Sequence, residues 1–322
     1  MPAHTLVDPS IRSVVDRLLG LKPSAASLIR RGGNNRIYRV ETGTGPVALK
    51  GYDAADGDRR DRLGVEWAAL DLISRHLPGC VPRPLARAPE SRWAAYEWIE
   101  GSPIESPRFE DVDGAIGFVA ALQELRGLPE AATMPLASEA CTSLDELCRQ
   151  VERRLDRLTG IPDLEEFLAG VRARFDTLRG SGPELPRVHQ ILSPSDFGFH
   201  NAIRRTDGRL VFIDFEYFGW DDPAKLASDI HWHPGMALGA ADRERFKTGL
   251  AHIFRADPGY ERRLAAYRPL IGLRWCLILL NEFLPEGIAR RRHAGQAEDA
   301  AAARARQLAK ARSLYSEVVE GL

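Results

Sequence analysis

Asp196-Phe197-Gly198-Phe199-His200-Asn201, followed after the turn Thr206-Asp207-Gly208 by Leu210-Val211-Phe212-Ile213-Asp214-Phe215-Glu216, is the stretch that decides how this chain is read. An Asp and an Asn stand five residues apart on what reads as a short loop. A loop carboxylate can orient an attacking hydroxyl and accept its proton, and an amide oxygen at that spacing can coordinate Mg²⁺. The apolar run from Leu210 has β character and ends in Asp214, 18 residues beyond Asp196. A carboxylate at a strand end, where the chain turns, is placed to hold Mg²⁺ against phosphates. A lone Asp there reads as a turn residue. At hairpin distance from an Asp–Asn loop, coincidence is the poorer reading.

Upstream, the chain alternates differently. Residues 11–19 have helical spacing, closed by Gly20 and Pro23. Three β-like runs follow, Ser27–Arg31, Ile37–Glu41 and Val47–Tyr52, and a fourth spans Trp93–Ile99. Between the first two lies Gly32-Gly33-Asn34-Asn35-Arg36. Glycines there let backbone amides approach phosphate oxygens, although a plain hairpin turn reads the same way. Lys50 closes the run Val47-Ala48-Leu49, and Glu66 lies 16 residues on, in a helix expected over 63–77. A lysine that neutralises phosphates needs a carboxylate to hold it, and a helix glutamate supplies one. The same two residues also read as a strand-edge charge and a solvated helix position. As a clamp they are expected to form a partly exposed pair that matters for turnover and adds little stability. Tyr96 to Gly101 leads out of the β-rich part and can offer backbone groups to an adenine edge.

Beyond that point helical spacing dominates, near 109–126, 143–158, 163–178, 240–254, 260–284 and 289–318. The division expected is therefore a β-rich part over 1–98 and a larger helical part over 99–322. Apolar residues make up 44% of the chain, and the net charge of −1 argues against a nucleic-acid or membrane-surface binder. The most apolar stretch, Leu264–Leu284, carries Arg268, Arg274 and Glu282, which a bilayer span tolerates badly. Cys80, Cys141, Cys148 and Cys276 form no metal-ligand spacing and read as reduced structural thiols of a cytoplasmic protein.

Taken together, GGNNRIYRV, VALK, Glu66, YEWIEG, the Asp196–Asn201 loop and FIDFEYFGWDDP resemble the aminoglycoside phosphotransferase and choline kinase group. The resemblance spans about residues 27–235. It implies an α+β, bilobal protein-kinase-like fold with ATP between a small antiparallel-sheet lobe and a mostly helical one. It also implies transfer of the γ-phosphate to a hydroxyl of a sugar, amino alcohol or aminoglycoside-like compound. Residue by residue, it makes Asp196 the catalytic base, Asn201 and Asp214 the Mg²⁺ ligands, and Lys50 the phosphate clamp braced by Glu66. Gly32, Gly33, Asn34 and Asn35 would cover the triphosphate, and Glu97 and Ile99 would meet adenine through their backbones.

The chain departs from the group's usual pattern at two places. Pro194-Ser195 replaces His-Gly before the catalytic Asp, and Asp222-Pro223 is followed by Ala224-Lys225-Leu226, with the next acid at Asp229. Two rival readings are a nucleotide-binding pseudokinase scaffold and a protein kinase. The second lacks an Ala-Pro-Glu signature and a long activation segment after Asp214. His231 and His233 read as structural histidines, and Arg290–Arg292 as part of a solvated helix. Trp275, Asn281 and Glu282 read equally as core or as substrate-facing. The acceptor and the oligomeric state are not legible in the sequence.

Overall fold

The computed structural model describes residues 7–31, 35–52, 60–236, 238–285, 287 and 300–321. β1 (Ala25–Arg31), β2 (Asn35–Thr42), β3 (Gly45–Tyr52), β4 (Pro84–Ala88) and β5 (Trp93–Glu97) form one antiparallel sheet in the order β1-β2-β3-β5-β4. Side chains alternate across a strand, so β3 serves two purposes at once. Val47 and Leu49 face the small core built with Ile11, Val14 and Val15 of α1 (Pro9–Leu19). The intervening positions, Ala48, Lys50 and Tyr52, face the other way, toward α2 (Arg62–His76).

α2 begins where the Asp61 carboxylate accepts the Gly64 N–H. Leu63, Glu66, Leu70 and Ile73 recur at helical spacing and are all buried. The single acid on that apolar stripe is thereby carried to the Lys50 side of β3.

The rest of the chain is mostly helical: α3 (Phe109–Glu124), α4 (Pro129–Ala132), α5 (Leu144–Leu158), α6 (Glu165–Leu178), α7 (Pro223–Trp232), α8 (Ala240–Ile253), α9 (Tyr260–Leu279) and α10 (Ala300–Glu320). α9 runs through the middle of these, packed against α5, α6, α7 and α10 through Leu270, Ile271, Leu273 and Leu277. Two small antiparallel sheets interrupt the helices. One joins β6 (Ser102–Pro103), β8 (Ala202–Arg204) and β9 (Leu210–Phe212), and the other joins β7 (Ile191–Ser193) to β10 (Gly219–Asp221). No described helix is long and apolar enough to cross a membrane.

The expected antiparallel sheet followed by helices is what the chain forms. The β run from Leu210 was expected and is β9, whereas β4, the other strands of the two small sheets, α4 and α7 were not. β4 is a sheet edge with the sequence Pro-Leu-Ala-Arg-Ala, which has no β-branched residue to mark it. α7 is buried from Pro223 to Ile230 on every side and so lacks the polar face that gives a helix its period.

Candidate active site

The Asp196–Asn201 segment is fixed by aromatic rings. Phe197 stacks on Phe118 of α3 (5.9 Å between centroids) and tilts against Phe212 of β9 (4.9 Å). Phe118 also stacks on Phe212 at 4.5 Å and meets Phe215 edge-on at 6.2 Å. Rings flanking Asp196 and Asp214 therefore converge on one side chain of α3. Full burial of each such ring contributes about 1.5–3 kcal/mol, enough to hold two polar segments in place.

Three residues of this region sit at left-handed backbone angles: Glu139 (φ 59°), Ser195 (φ 65°) and Asp214 (φ 69°). Such angles are unfavourable for non-glycine residues and concentrate where a structure holds functional groups in set positions. At Ser195 this accounts for the glycine of the resembling group's pattern. Here a serine occupies the position, and its hydroxyl donates to the Ser138 carbonyl at 3.1 Å.

Lys50 Nζ lies 2.6 Å from Glu66 Oε2, 2.7 Å from Asp214 Oδ1 and 3.6 Å from Glu216 Oε2. The Tyr52 hydroxyl donates to the same Glu66 oxygen at 2.6 Å and hydrogen-bonds with Tyr96 at 2.7 Å. Lys50 and Glu66 are 4% and 3% exposed, which corrects the expectation of a partly exposed pair. Their burial follows from the alternation of β3 and the apolar stripe of α2. Desolvation would strip the Lys50 charge, yet Asp214, Glu66 and Glu216 hold it protonated well above the ordinary lysine range. Desolvation, with Asp214 and Glu216 nearby, outweighs Lys50 at Glu66 and pushes that carboxyl up to about 7.

Glu216 is a site residue that the sequence reading missed, although it stands two positions from Asp214. Its carboxylate accepts from Asn35 Nδ2 at 2.7 Å and lies 3.7 Å from Arg62. Glu66, Asp214 and Glu216 form a three-carboxylate group close enough to share one cation. Asn201 donates its amide N–H to the Asp196 carbonyl at 3.0 Å, and its backbone carbonyl accepts from Ile213 N–H at 2.9 Å. The group is all-oxygen, three carboxylates are set against the cations Lys50 and Arg62, and the buried Asn35 amide oxygen meets no partner among the described residues. Hard oxygen donors with surplus negative charge fit Mg²⁺.

Asp196 Oδ1 lies 3.1 Å from His200 Nε2 and 3.2 Å from His233 Nε2, and the two imidazoles stack at 4.1 Å. Burial would raise this carboxyl, but His200 and His233 hold it well below the usual carboxylate range. His233 is therefore not the structural histidine that the sequence suggested: it follows α7 and reaches the loop acid. His231 is, by contrast, turned toward Arg243, Lys247 and Arg268.

Asp229, whose role was open, sits on α7 and accepts from Arg274 (2.7 Å), Trp275 (2.9 Å) and Lys225 (2.9 Å). Trp275 and Asn281 line the cleft beside Asp196. Of the expected nucleotide contacts, Gly32, Gly33 and Asn34 lie outside the described residues, and Asn35 turns to Glu216. The Glu97 N–H donates to the Arg83 carbonyl at 2.9 Å, and Ile99 is buried two residues past β5.

The order of these parts along the chain matches the family described as "phosphotransferase enzyme family" over residues 25–267. The chain belongs to this phosphotransferase family. A spectinomycin phosphotransferase solved with ADP and spectinomycin superposes with a TM-score of 0.60 at 12% identity, over 90% of this chain and 94% of that one. A macrolide 2′-phosphotransferase from Brachybacterium faecium gives 0.60 at 18% identity, over 90% and 99%. A choline kinase from Streptococcus pneumoniae gives 0.60 at 14% identity, over 96% and 98%. A search of the curated proteins finds no match. The fold of this phosphotransferase is thus the protein-kinase-like fold of aminoglycoside phosphotransferases and choline kinases, as its motifs led one to expect.

Proposed function

We propose that this phosphotransferase moves the γ-phosphoryl group of ATP, with Mg²⁺, to a hydroxyl of a small molecule, in a cleft between lobes spanning 1–98 and 99–322. The observation that carries the reading is Lys50 Nζ held 2.6 Å from Glu66 and 2.7 Å from Asp214, while Asn201 links Asp196, to which it donates, with Ile213, the residue before Asp214. Lys50 would bind the α- and β-phosphates, kept in place by Glu66, which Tyr52 orients in turn. Asp214 and Glu216, with the amide oxygen of Asn201, would hold Mg²⁺, which would supply positive charge against the phosphates.

Asp196 Oδ1 faces two histidines and Oδ2 lies 3.4 Å from the Asn201 amide nitrogen, so an acceptor hydroxyl would share Oδ2 with Asn201. A carboxylate held so acidic orients the hydroxyl rather than removing its proton early, which suits a loose phosphoryl-transfer transition state. The acceptor oxygen forms its bond to phosphorus as the β–γ bridging bond breaks. ADP leaves with that electron pair, and the hydroxyl proton passes to Asp196. Convergence of Lys50, Asp196, Asn201 and Asp214 supports catalysis over a scaffold role.

Calorimetry on the parent and on Asp214→Ala should show Mg·ATP binding that the variant largely loses. Asp196→Asn should lose about 10²–10⁴ in kcat while binding Mg·ATP as the parent does. Unchanged Mg·ATP affinity in Asp214→Ala, or full turnover in Asp196→Asn, would remove the basis of this reading.

A further inference from the structure

His233 reaches Asp196 from just beyond the end of α7, and its ring is hemmed in by two others. One face stacks on His200, with centroids 4.1 Å apart and planes within 5°. Trp275 of α9 meets it edge to face at 4.4 Å. Aromatic rings in contact usually stand about 4.5–7 Å apart, so this packing is close. Gly235 leaves the space for the stack: a Cβ added there would stand 3.0 Å from His233 Cε1 and 3.2 Å from His200 Cγ.

Trp275 is itself held at its polar end. Its indole N–H donates to Asp229 Oδ1 at 2.9 Å, an oxygen that also accepts from Arg274 at 2.7 Å. Lys225 ties the other Asp229 oxygen (2.9 Å) to Asp221 (3.0 Å), each four residues away along the chain. Two acids and two bases balance in this group. Burial would raise the Asp229 carboxyl, but Arg274 and Lys225 hold it below its ordinary range, so it stays a charged acceptor for the indole. Lys225, Asp229 and Arg274 are all buried, whereas the ring anchored on them lines the cleft beside Asp196. The Asp229 backbone carbonyl also accepts the His233 N–H at 2.8 Å. One residue of α7 thus fixes His233 twice, through the main chain and through Trp275.

We infer that Trp275 is a positioning residue for phosphoryl transfer: anchored on Asp229, it holds the His233 ring against His200 so that both imidazoles stay aimed at Asp196 Oδ1. The inference deepens the phosphotransfer reading and rests on it. It also gives a task to Lys225, which fixes the carboxylate that holds the indole. A tryptophan that served packing alone would affect turnover independently of His233.

The test is ATP hydrolysis with Mg²⁺, water serving as acceptor, together with nitrogen NMR of the histidine rings in the same proteins. Trp275→Leu should lower kcat about 2- to 10-fold, the contribution of one aromatic pair, with the KM for Mg·ATP unchanged. In a His233→Ala background the same substitution should cost almost nothing further, because its route to Asp196 has gone. Trp275→Phe keeps a ring against His233 and gives up only the bond to Asp229, so it should lose less than Trp275→Leu. It carries the same comparison if Trp275→Leu does not fold. The His233 ring of the parent should show its proton on Nε2, and the Trp275 variants should disturb that signal. Equal losses with and without His233, or a raised KM with unchanged kcat, overturns the inference. A His233 signal unmoved in both Trp275 variants overturns it too, whether or not the parent hydrolyses ATP. Failure of the parent to bind Mg·ATP overturns the phosphotransfer reading instead, and the ring spectra still show whether Trp275 holds His233.

Discussion

His233 Nε2 stands 3.2 Å from Asp196 Oδ1, and Gly235 decides what that nitrogen carries. The Gly235 N–H donates to His233 Nδ1 at 2.9 Å, so in the neutral ring the proton resides on Nε2, facing the carboxylate. His233 thus donates to Asp196 Oδ1 and helps to orient the carboxylate. A hydrogen bond to a charged group contributes about 1.5–3 kcal/mol, so His233→Ala should lower kcat roughly 10- to 100-fold. The KM for Mg·ATP should stay unchanged. His233→Gln keeps an N–H donor and should recover part of the rate. Full turnover in His233→Ala would show that the loop orients itself.

Lys50 is buried among three carboxylates, and its removal leaves them facing one another in a desolvated cleft. Breaking a buried ion pair from one side typically costs about 3–5 kcal/mol. Lys50→Met should therefore destabilise the fold by about that much in urea denaturation, in addition to abolishing turnover. The double variant Lys50→Met, Glu66→Gln should regain a measurable share of the loss. Parent-like stability in Lys50→Met would mean that the cleft is far wetter than its burial indicates.

Ser195 combines a strained backbone with a bond that only its side chain makes. A left-handed L-residue costs about 1–2 kcal/mol, and a typical hydrogen bond contributes about 0.5–1.5 kcal/mol. Ser195→Gly should leave stability nearly unchanged, because relief and loss offset each other. Ser195→Ala keeps the strain and loses the bond, so it should be less stable than Ser195→Gly by about 1–2 kcal/mol in chemical denaturation. The reverse order would refute the backbone argument.

His231 is pushed down to about 4 by desolvation and by Arg268, Arg243 and Lys247. Its unfolded-state pKa is about 6.5, so between those values the unfolded chain takes up a proton that the folded chain refuses. Stability contributed by this site is complete above about pH 6.5 and is lost as pH falls toward 4. His231→Phe should flatten that part of the stability–pH curve, read from melting temperatures across pH 4–7. A parent and variant with parallel curves would show that this ring does not titrate.

The cluster around Lys50 and Asp214, proposed as the phosphate end of the site, was legible because its residues are local in sequence. Lys50 ends an apolar run, Glu66 sits in a helical period, and Asp196, Asn201 and Asp214 fall within one hairpin's reach. The cleft beside Asp196 was not. Its residues lie on α7, whose all-round burial erases any period, and on the strained Ser138–Glu139 segment, which has no sequence signature. His233 was missed for the same reason: nothing in sequence links residue 233 to residue 196 until α7 exists. Glu216 was not legible either, because β9 ends at Phe212 and the left-handed backbone of Asp214 breaks the strand alternation that would have placed a second acid.

Phe118 offers a listening post. One ring touches Phe197 next to Asp196 and both Phe212 and Phe215 beside Asp214, while lying on a helix that supplies no chemistry of its own. A fluorine label on that ring would stand in van der Waals contact with the donor side and the acceptor side together. Its resonance should move once when nucleotide arrives and again when acceptor does. The size of the second move with and without the first would reveal how far the two sides speak to each other.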